Sequence, residues 1–237
     1  MSGKKIGAYG PWLLGWMLVW GAWACASGPE RDAVRARTTR GVAEASATPE
    51  AGAVAYHLAV LRRAGGSPAE QRKQEEAELW LLSHPDESFP RILAEARRDP
   101  SDLLALRLLG RYRKAEAVPV LAQAFELGDW AQRYAAVALG RTPGSKAEEV
   151  LLRALSSSGT ERVVAALEGL EIRGDAGLCP QVKAPLSHSD SQVRWMALHA
   201  AGELGCLSDA ELARWAEDDA HPRMKRLAIE LRKWSEE

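Results

Sequence analysis

The side chains best suited to nucleophilic, redox or metal chemistry in this 237-residue chain are three cysteines, Cys25, Cys179 and Cys206, and five histidines, His57, His84, His188, His199 and His221. A covalent hydrolase needs a nucleophile beside a base, and a metal site needs ligands spaced to converge. Here the histidines are scattered, and the chain has no Gly-x-Ser-x-Gly, no His-Glu-x-x-His, no phosphate-binding Gly-x-x-x-x-Gly-Lys and no metal-spaced cysteine pair. His188 and Asp190 could form a small polar site, although a junction residue of this kind more commonly caps a helix. His199 reads as a partly exposed surface residue. No catalytic residue, metal ligand or cofactor is therefore expected, and the chain is read as not an enzyme. An enzyme or enzyme subunit whose site leaves no motif is the alternative, and a purely structural spacer is a third reading.

Cys25 has a different setting. Lys4 and Lys5 are followed by a run from Ile6 to Ser27 without one charged side chain, and that run carries four of the nine tryptophans, Trp12, Trp16, Trp20 and Trp23. A basic start, an apolar stretch and a small-residue exit make a secretory signal. The exit, Ala22-Trp23-Ala24-Cys25-Ala26-Ser27, resembles the lipobox of bacterial lipoproteins, with Ala22 where Leu is usual and Trp23 where a small residue is usual. The resemblance implies that Cys25 is lipidated and becomes the first mature residue, and the absence of Asp after it points to the periplasmic side of the outer membrane. Free secretion after Ala22-x-Ala24 and an uncleaved inner-membrane anchor use the same residues. All three readings keep the lysines cytoplasmic and deliver the rest across the inner membrane. Residues 1–24 are thus a signal peptide, and 25–48, small and polar with little to bury, a flexible tether.

The remainder must be positioned by helices. The chain holds 41 Ala and 30 Leu, which favours helix by propensity. Residues 49–68 read as one helix, Ala51 to Arg63, and a turn at Gly65-Gly66. Capping boxes are written at Ser67–Glu70, Ser145–Glu148 and Ser208–Glu211. Self-similarity is clearer still. Ala105, Ala135, Ala165, Ala197 and Ala228 recur at intervals of 30, 30, 32 and 31 residues, each preceded by an apolar residue. Five positions after the alanine stand Gly110, Gly140, Leu170 and Gly202, and before the units stand Asp99, Asp129, Asp190 and Asp219. The small residue lets helices approach, the Gly is expected to end its helix in a left-handed cap, and the Asp to cap the next. A second apolar segment separates successive alanine helices, at Ile92-Leu93, Val120-Leu121, Leu151-Leu152, Val182 and Leu212. Each unit is a helix pair, and pairs this small must stack.

The stretch Asp190-Ser-Gln-Val193-Arg194-Trp195-Met-Ala197-Leu-His199-Ala-Ala-Gly202 resembles the HEAT repeat, in the short bacterial form labelled phycobilisome-lyase-like, and Asp129 to Gly140 is a second, shifted example. The tetratricopeptide alternative expects a 34-residue period and its own Trp, Gly, Tyr and Pro spacing, which are missing. The expected fold is an all-α, right-handed α-solenoid of about five HEAT-like helix pairs over residues 69–237, with a degenerate cap around Ala77. Bilin attachment, which the label suggests, has nothing beyond the repeat to point to it.

Cys179 opens the second helix of one unit and Cys206 lies in the turn before the equivalent helix of the next, so an oxidising compartment would permit a disulfide. Two separately buried thiols are the other arrangement, since Cys is a common small core residue. Trp80, Trp130, Trp195, Trp215 and Trp234 occur about once per unit and are expected to fill seams, with Trp130, at a helix start, the first candidate for an exposed partner anchor. Without Lys4 and Lys5 there are 29 positive against 32 negative side chains, which supplies no basic field for nucleic acid. These observations lead to an expected non-enzymatic interaction scaffold in the cell envelope, held at the membrane by an N-terminal lipid or anchor. It would bind protein partners along the surface of its second helices, support a secretion, envelope or motility complex, and take no small-molecule substrate.

Overall fold

The computed structural model describes residues 49–63, 65–218 and 222–235, within the unit spanning Ala47–Glu237. The signal segment, Cys25 and the tether lie outside the described residues, as do Asp219, His221 and the side chain of Trp234.

The described chain is an all-α solenoid. Its helices are α1 (Pro49–Arg62), α2 (Pro68–Ser83), α3 (Pro85–Arg98), α4 (Leu103–Tyr112), α5 (Val118–Glu126), α6 (Asp129–Arg141), α7 (Ser145–Ala154), α8 (Thr160–Arg173), α9 (Cys179–Lys183), α10 (Ser191–Glu203), α11 (Asp209–Asp218) and α12 (Pro222–Ser235). The five repeat alanines sit on α4, α6, α8, α10 and α12, and these helices pack on one another in an unbroken series. The second helices, α3, α5, α7, α9 and α11, lie alongside. Helix α1 packs on α2, with Val54 and Leu58 buried in the common core, so residues 49–83 form a further helix pair where a lone helix and a degenerate cap were expected. Arg62 holds that pair in place through Glu95 of α3 at 2.8 Å and Asp102 at 2.7 Å.

The seam between alanine helices follows from residue size. Ala135, Ala165, Ala197 and Ala228 are fully or almost fully buried, and a methyl-sized side chain lets two backbones approach to the short end of the usual interaxial range. The glycines five positions on do the same work and are not the left-handed caps expected of them. A Cβ on Gly110 would lie 2.8 Å from the Cα of Ala138, one on Gly202 would lie 2.5 Å from the Leu231 side chain, and one on Gly140 would overlap the Gly169 carbonyl. In the third unit the close-packed glycine is Gly169, immediately before Leu170, where a Cβ would lie 2.7 Å from the Ala136 carbonyl. The left-handed positions fall later, at Arg113 (φ 55°), Gly174 (φ 71°) and Gly205 (φ 66°).

Some caps also differ from the sequence expectation. Asp190 accepts from the backbone N–H of Gln192 at 2.7 Å, as expected. In the first unit Asp102, not Asp99, caps α4, accepting from Leu104 and Ala105 at 3.1 Å each. Asp129 is already the first residue of α6, with φ 45°, behind Gly128. Boxes form at Ser67–Glu70 and Ser208–Glu211. Ser145 lies inside α7, and Glu148 is taken by Arg173 at 3.0 Å.

The apolar interior divides in two. A main core runs from Val54 to Ala201, and a smaller one holds Leu198, Leu212, Met224, Leu227, Ala228 and Leu231 around α11 and α12. Leu186, Trp195 and Leu207 pack against both.

Candidate functional site

Because the alanine helices meet through small residues, their longer polar side chains are turned together onto one exposed face. The ion pairs there step from helix to helix. Glu78 of α2 is shared by Arg107 at 3.1 Å and Arg111 at 3.6 Å, both on α4. Arg133 of α6 reaches Glu168 of α8 at 3.3 Å, and Glu171 of α8 meets the Nδ1 of His199 on α10 at 3.0 Å. Glu203 lies one turn beyond His199 on α10 and adds its charge to the same group.

Burial decides how these groups titrate. Desolvation pushes the Glu168 carboxyl up, with Arg133 opposing it, and raises Glu203 as well. At His199 burial works to lower the value, but the hydrogen bond and charge of Glu171, with Glu203 and Glu168 behind it, outweigh this and raise it. His199 is also stacked on Trp195, with ring centroids 5.4 Å apart. It is therefore partly exposed, as expected, and is in addition paired with Glu171 and stacked on Trp195. The signal that could have found it is the four-residue spacing of Trp195, His199 and Glu203, which places all three on one helix face.

Trp130 stands at the first turn of α6 with 59% of its surface exposed, while the Arg133 guanidinium carbon lies 5.9 Å from its ring centroid. Trp80 is sandwiched between His57 and His84, at centroid distances of 4.3 and 4.2 Å, and Trp195 and Trp215 pack at the core edge. An open cleft of about 470 Å³ lies between α2 and α4, lined by Leu61, Gln71, Glu75, Leu103, Arg107 and Tyr134. It contains no nucleophile paired with a base. His188 accepts a hydrogen bond from the backbone N–H of Asp190 at 3.0 Å, and Asp190 also takes the Thr160 hydroxyl at 3.1 Å, so this pair is a helix cap.

Cys179 and Cys206 are bonded, with Cα atoms 5.3 Å apart, and do not remain as two thiols. Stacking brings them together: α9 and the turn before α11 occupy neighbouring units. Beside them the Lys183 ammonium donates to Glu211 at 2.6 Å and to the Cys206 carbonyl at 3.4 Å. The Lys183 hydrogen bond, then those from the backbone and hydroxyl of Ser208, hold the Glu211 carboxyl down at about 2. Among the described residues no cluster of His, Cys, Asp and Glu is placed to hold a metal ion, and no helix is long and apolar enough to cross a membrane.

No family model matches the chain and no curated protein matches it. Among solved structures it is similar to the complex of CpcE and CpcF of phycocyanin lyase from Nostoc sp. PCC7120, at 19% identity and a TM-score of 0.45, over 79% of this chain and 77% of that one. This finding corrects two expectations drawn from the sequence, that the chain is a non-enzymatic scaffold and that it is not an enzyme. The physical reason is that the repeat columns specify packing and carry no information about chemistry, so a missing motif excludes nothing. At this level of similarity the likeness concerns the helical repeat fold and assigns no lyase activity here.

Proposed function

We propose that this chain is an exported α-solenoid that binds a protein partner on the face of its alanine helices. The observation that carries the reading is the line of paired charges from Glu78 to His199, interrupted by the exposed Trp130. Solenoids present extended surfaces to partners, and an exposed Trp braced by Arg is a typical binding anchor. Recognition then falls on the alanine row and not on the second helices. Export is supported by the Cys179–Cys206 disulfide, which persists in oxidising compartments, and by the signal-like run before Cys25. In this reading Cys25 carries a lipid that tethers the solenoid at the outer membrane.

Two measurements test it. Native electrophoresis of membranes solubilised in mild detergent should show a complex that is lost in Trp130→Ala with Arg133→Ala and kept in Gln123→Ala with Arg153→Ala, on the second helices. Loss from the second pair alone would put the partner elsewhere. Palmitate labelling should disappear in Cys25→Ser, and labelling that persists would rule out that attachment.

A further inference from the structure

The row of second helices loosens towards its C-terminal end. Helix α3 packs on α5 and α5 on α7, whereas α9 makes no comparable contact with α7 or with α11. The reason is its size: α9 has five residues and buries Val182, where α5 buries Val118, Val120, Leu121, Ala124 and Phe125. The joint between α9 and α11 is held instead by the Cys179–Cys206 bond and by Lys183, which donates to Glu211 and to the Cys206 carbonyl. Both cysteines are partly exposed. Cys179 lies just beyond the exposed residues Gly174 to Gly177, and Cys206 follows the exposed Gly205 in the turn before α11. A disulfide inside a core is reached only when the core opens, but this one lies at the surface of a thinly packed joint.

We propose that the Cys179–Cys206 bond is a redox latch on the C-terminal helix pair, closed when oxidised and opened by a dithiol reductant. One thiolate of the dithiol attacks a cystine sulfur, and the electron pair of the S–S bond leaves on the other sulfur, which takes up a proton. The second thiolate of the reductant then attacks the mixed disulfide and displaces the remaining cysteine, which is protonated in turn. Two electrons and two protons pass to the protein, and the dithiol becomes a disulfide. Opening the bond removes the covalent closure of the segment 179–206, which contains all of α10. Between α9 and α11 the Lys183–Glu211 pair is left, a partly exposed ion pair that holds little by itself. Helix α12 keeps its packing on α10, with Leu231 against Gly202, so that seam becomes the hinge. The second row then parts, and Leu207, Leu212 and Trp215 gain access to solvent. This device acts whether or not the alanine face binds a partner.

The test uses the full chain in detergent with Cys25→Ser, so that every thiol counted belongs to this bond. Dithiothreitol should reduce the folded chain without any denaturant, as read by trapping the new thiols with iodoacetamide. Hydrogen exchange of the reduced chain should then rise about tenfold or more in α11 and α12 and stay unchanged from α1 to α8. Reoxidation with glutathione disulfide should restore the protection. Cys179→Ala with Cys206→Ala should hold the open state, matching the reduced chain and ignoring dithiothreitol. Lys183→Ala should leave α11 and α12 protected in the oxidised chain and loosen them further in the reduced one. Reduction that occurs only in urea would mean that the bond is reached by unfolding alone, and it would overturn the latch. Unchanged exchange in α11 and α12 after reduction, or a reduced chain unfolded throughout, would overturn it as well.

Discussion

The two rows of this solenoid are joined by different means. Along the alanine helices, contact is made by residues with almost no side chain: Ala135 and Ala165 are buried, and Gly110, Gly140, Gly169 and Gly202 leave no room for a methyl group. Along the second helices, the joint between α9 and α11 is made by a disulfide and by Lys183 reaching Glu211 and the Cys206 carbonyl. The first kind of joint repeats in every unit, so it builds length. Among the described residues the second occurs once, where the main core gives way to the small core of α11 and α12. A repeat fold can thus propagate by close packing and still need a specific staple where its last unit is too small to hold on by itself.

The largest expected effect breaks the first kind of joint. Gly140→Leu drives a side chain into the Gly169 carbonyl and should cost about 4 kcal/mol or prevent folding. Gly140→Ala should still cost at least about 2 kcal/mol, measured by urea unfolding, whereas a loss within error would show that the seam is loose. Next is the staple. Cys179→Ser with Cys206→Ser, which opens a loop with a sequence separation of 27, should cost about 3.5 kcal/mol by the loop-entropy argument. Hydrogen exchange should show the loss concentrated in α11 and α12, and a uniform loss would mean that the two cores unfold as one. A smaller effect separates true caps from apparent ones. Asp190→Ala should cost about 1 kcal/mol and Asp129→Ala much less, because only Asp190 accepts from the backbone of its helix start. The smallest concerns Glu211. Its carboxyl is held at about 2 against an ordinary value of 4.5, so its contribution is complete above 4.5 and disappears as the pH falls towards 2. Exposure keeps this below about 1 kcal/mol. Glu211→Gln should remove that share of the acid sensitivity in thermal melts between about pH 5 and about pH 2.5, and an unchanged pH profile would remove the Lys183–Glu211 pair from the joint.

How much of this was legible in the sequence depends on whether a feature repeats. The solenoid, its alanine register and the cap at Asp190 were readable because the same physical requirement recurs about every 31 residues and leaves a column. The glycines were found but misassigned: periodicity marks a position where a side chain is forbidden without saying whether backbone conformation or a neighbour forbids it. Gly140 is close-packed, and the left-handed turns fall at Arg113, Gly174 and Gly205. The proximity of Cys179 and Cys206 followed from stacking, but the choice between bond and thiols needed the approach of their backbones. The pairing of His199 with Glu171 was not legible, because the two residues are 28 apart and their meeting depends on the angle between α8 and α10. Nothing in the repeat speaks to chemistry, which is why the expectation of a non-enzymatic scaffold went further than the residues supported.

The central claim is that the alanine-helix face is the surface the partner covers. A photo-crosslinking amino acid placed in turn at Arg107, Val137 and Glu203 on that face, and at Gln123, Arg153 and Gln181 on the second helices, tests it in intact cells. One crosslinked product of constant partner mass is expected from the first three positions and none from the others. Crosslinks arising from the second-helix positions, with the alanine face silent, would contradict it.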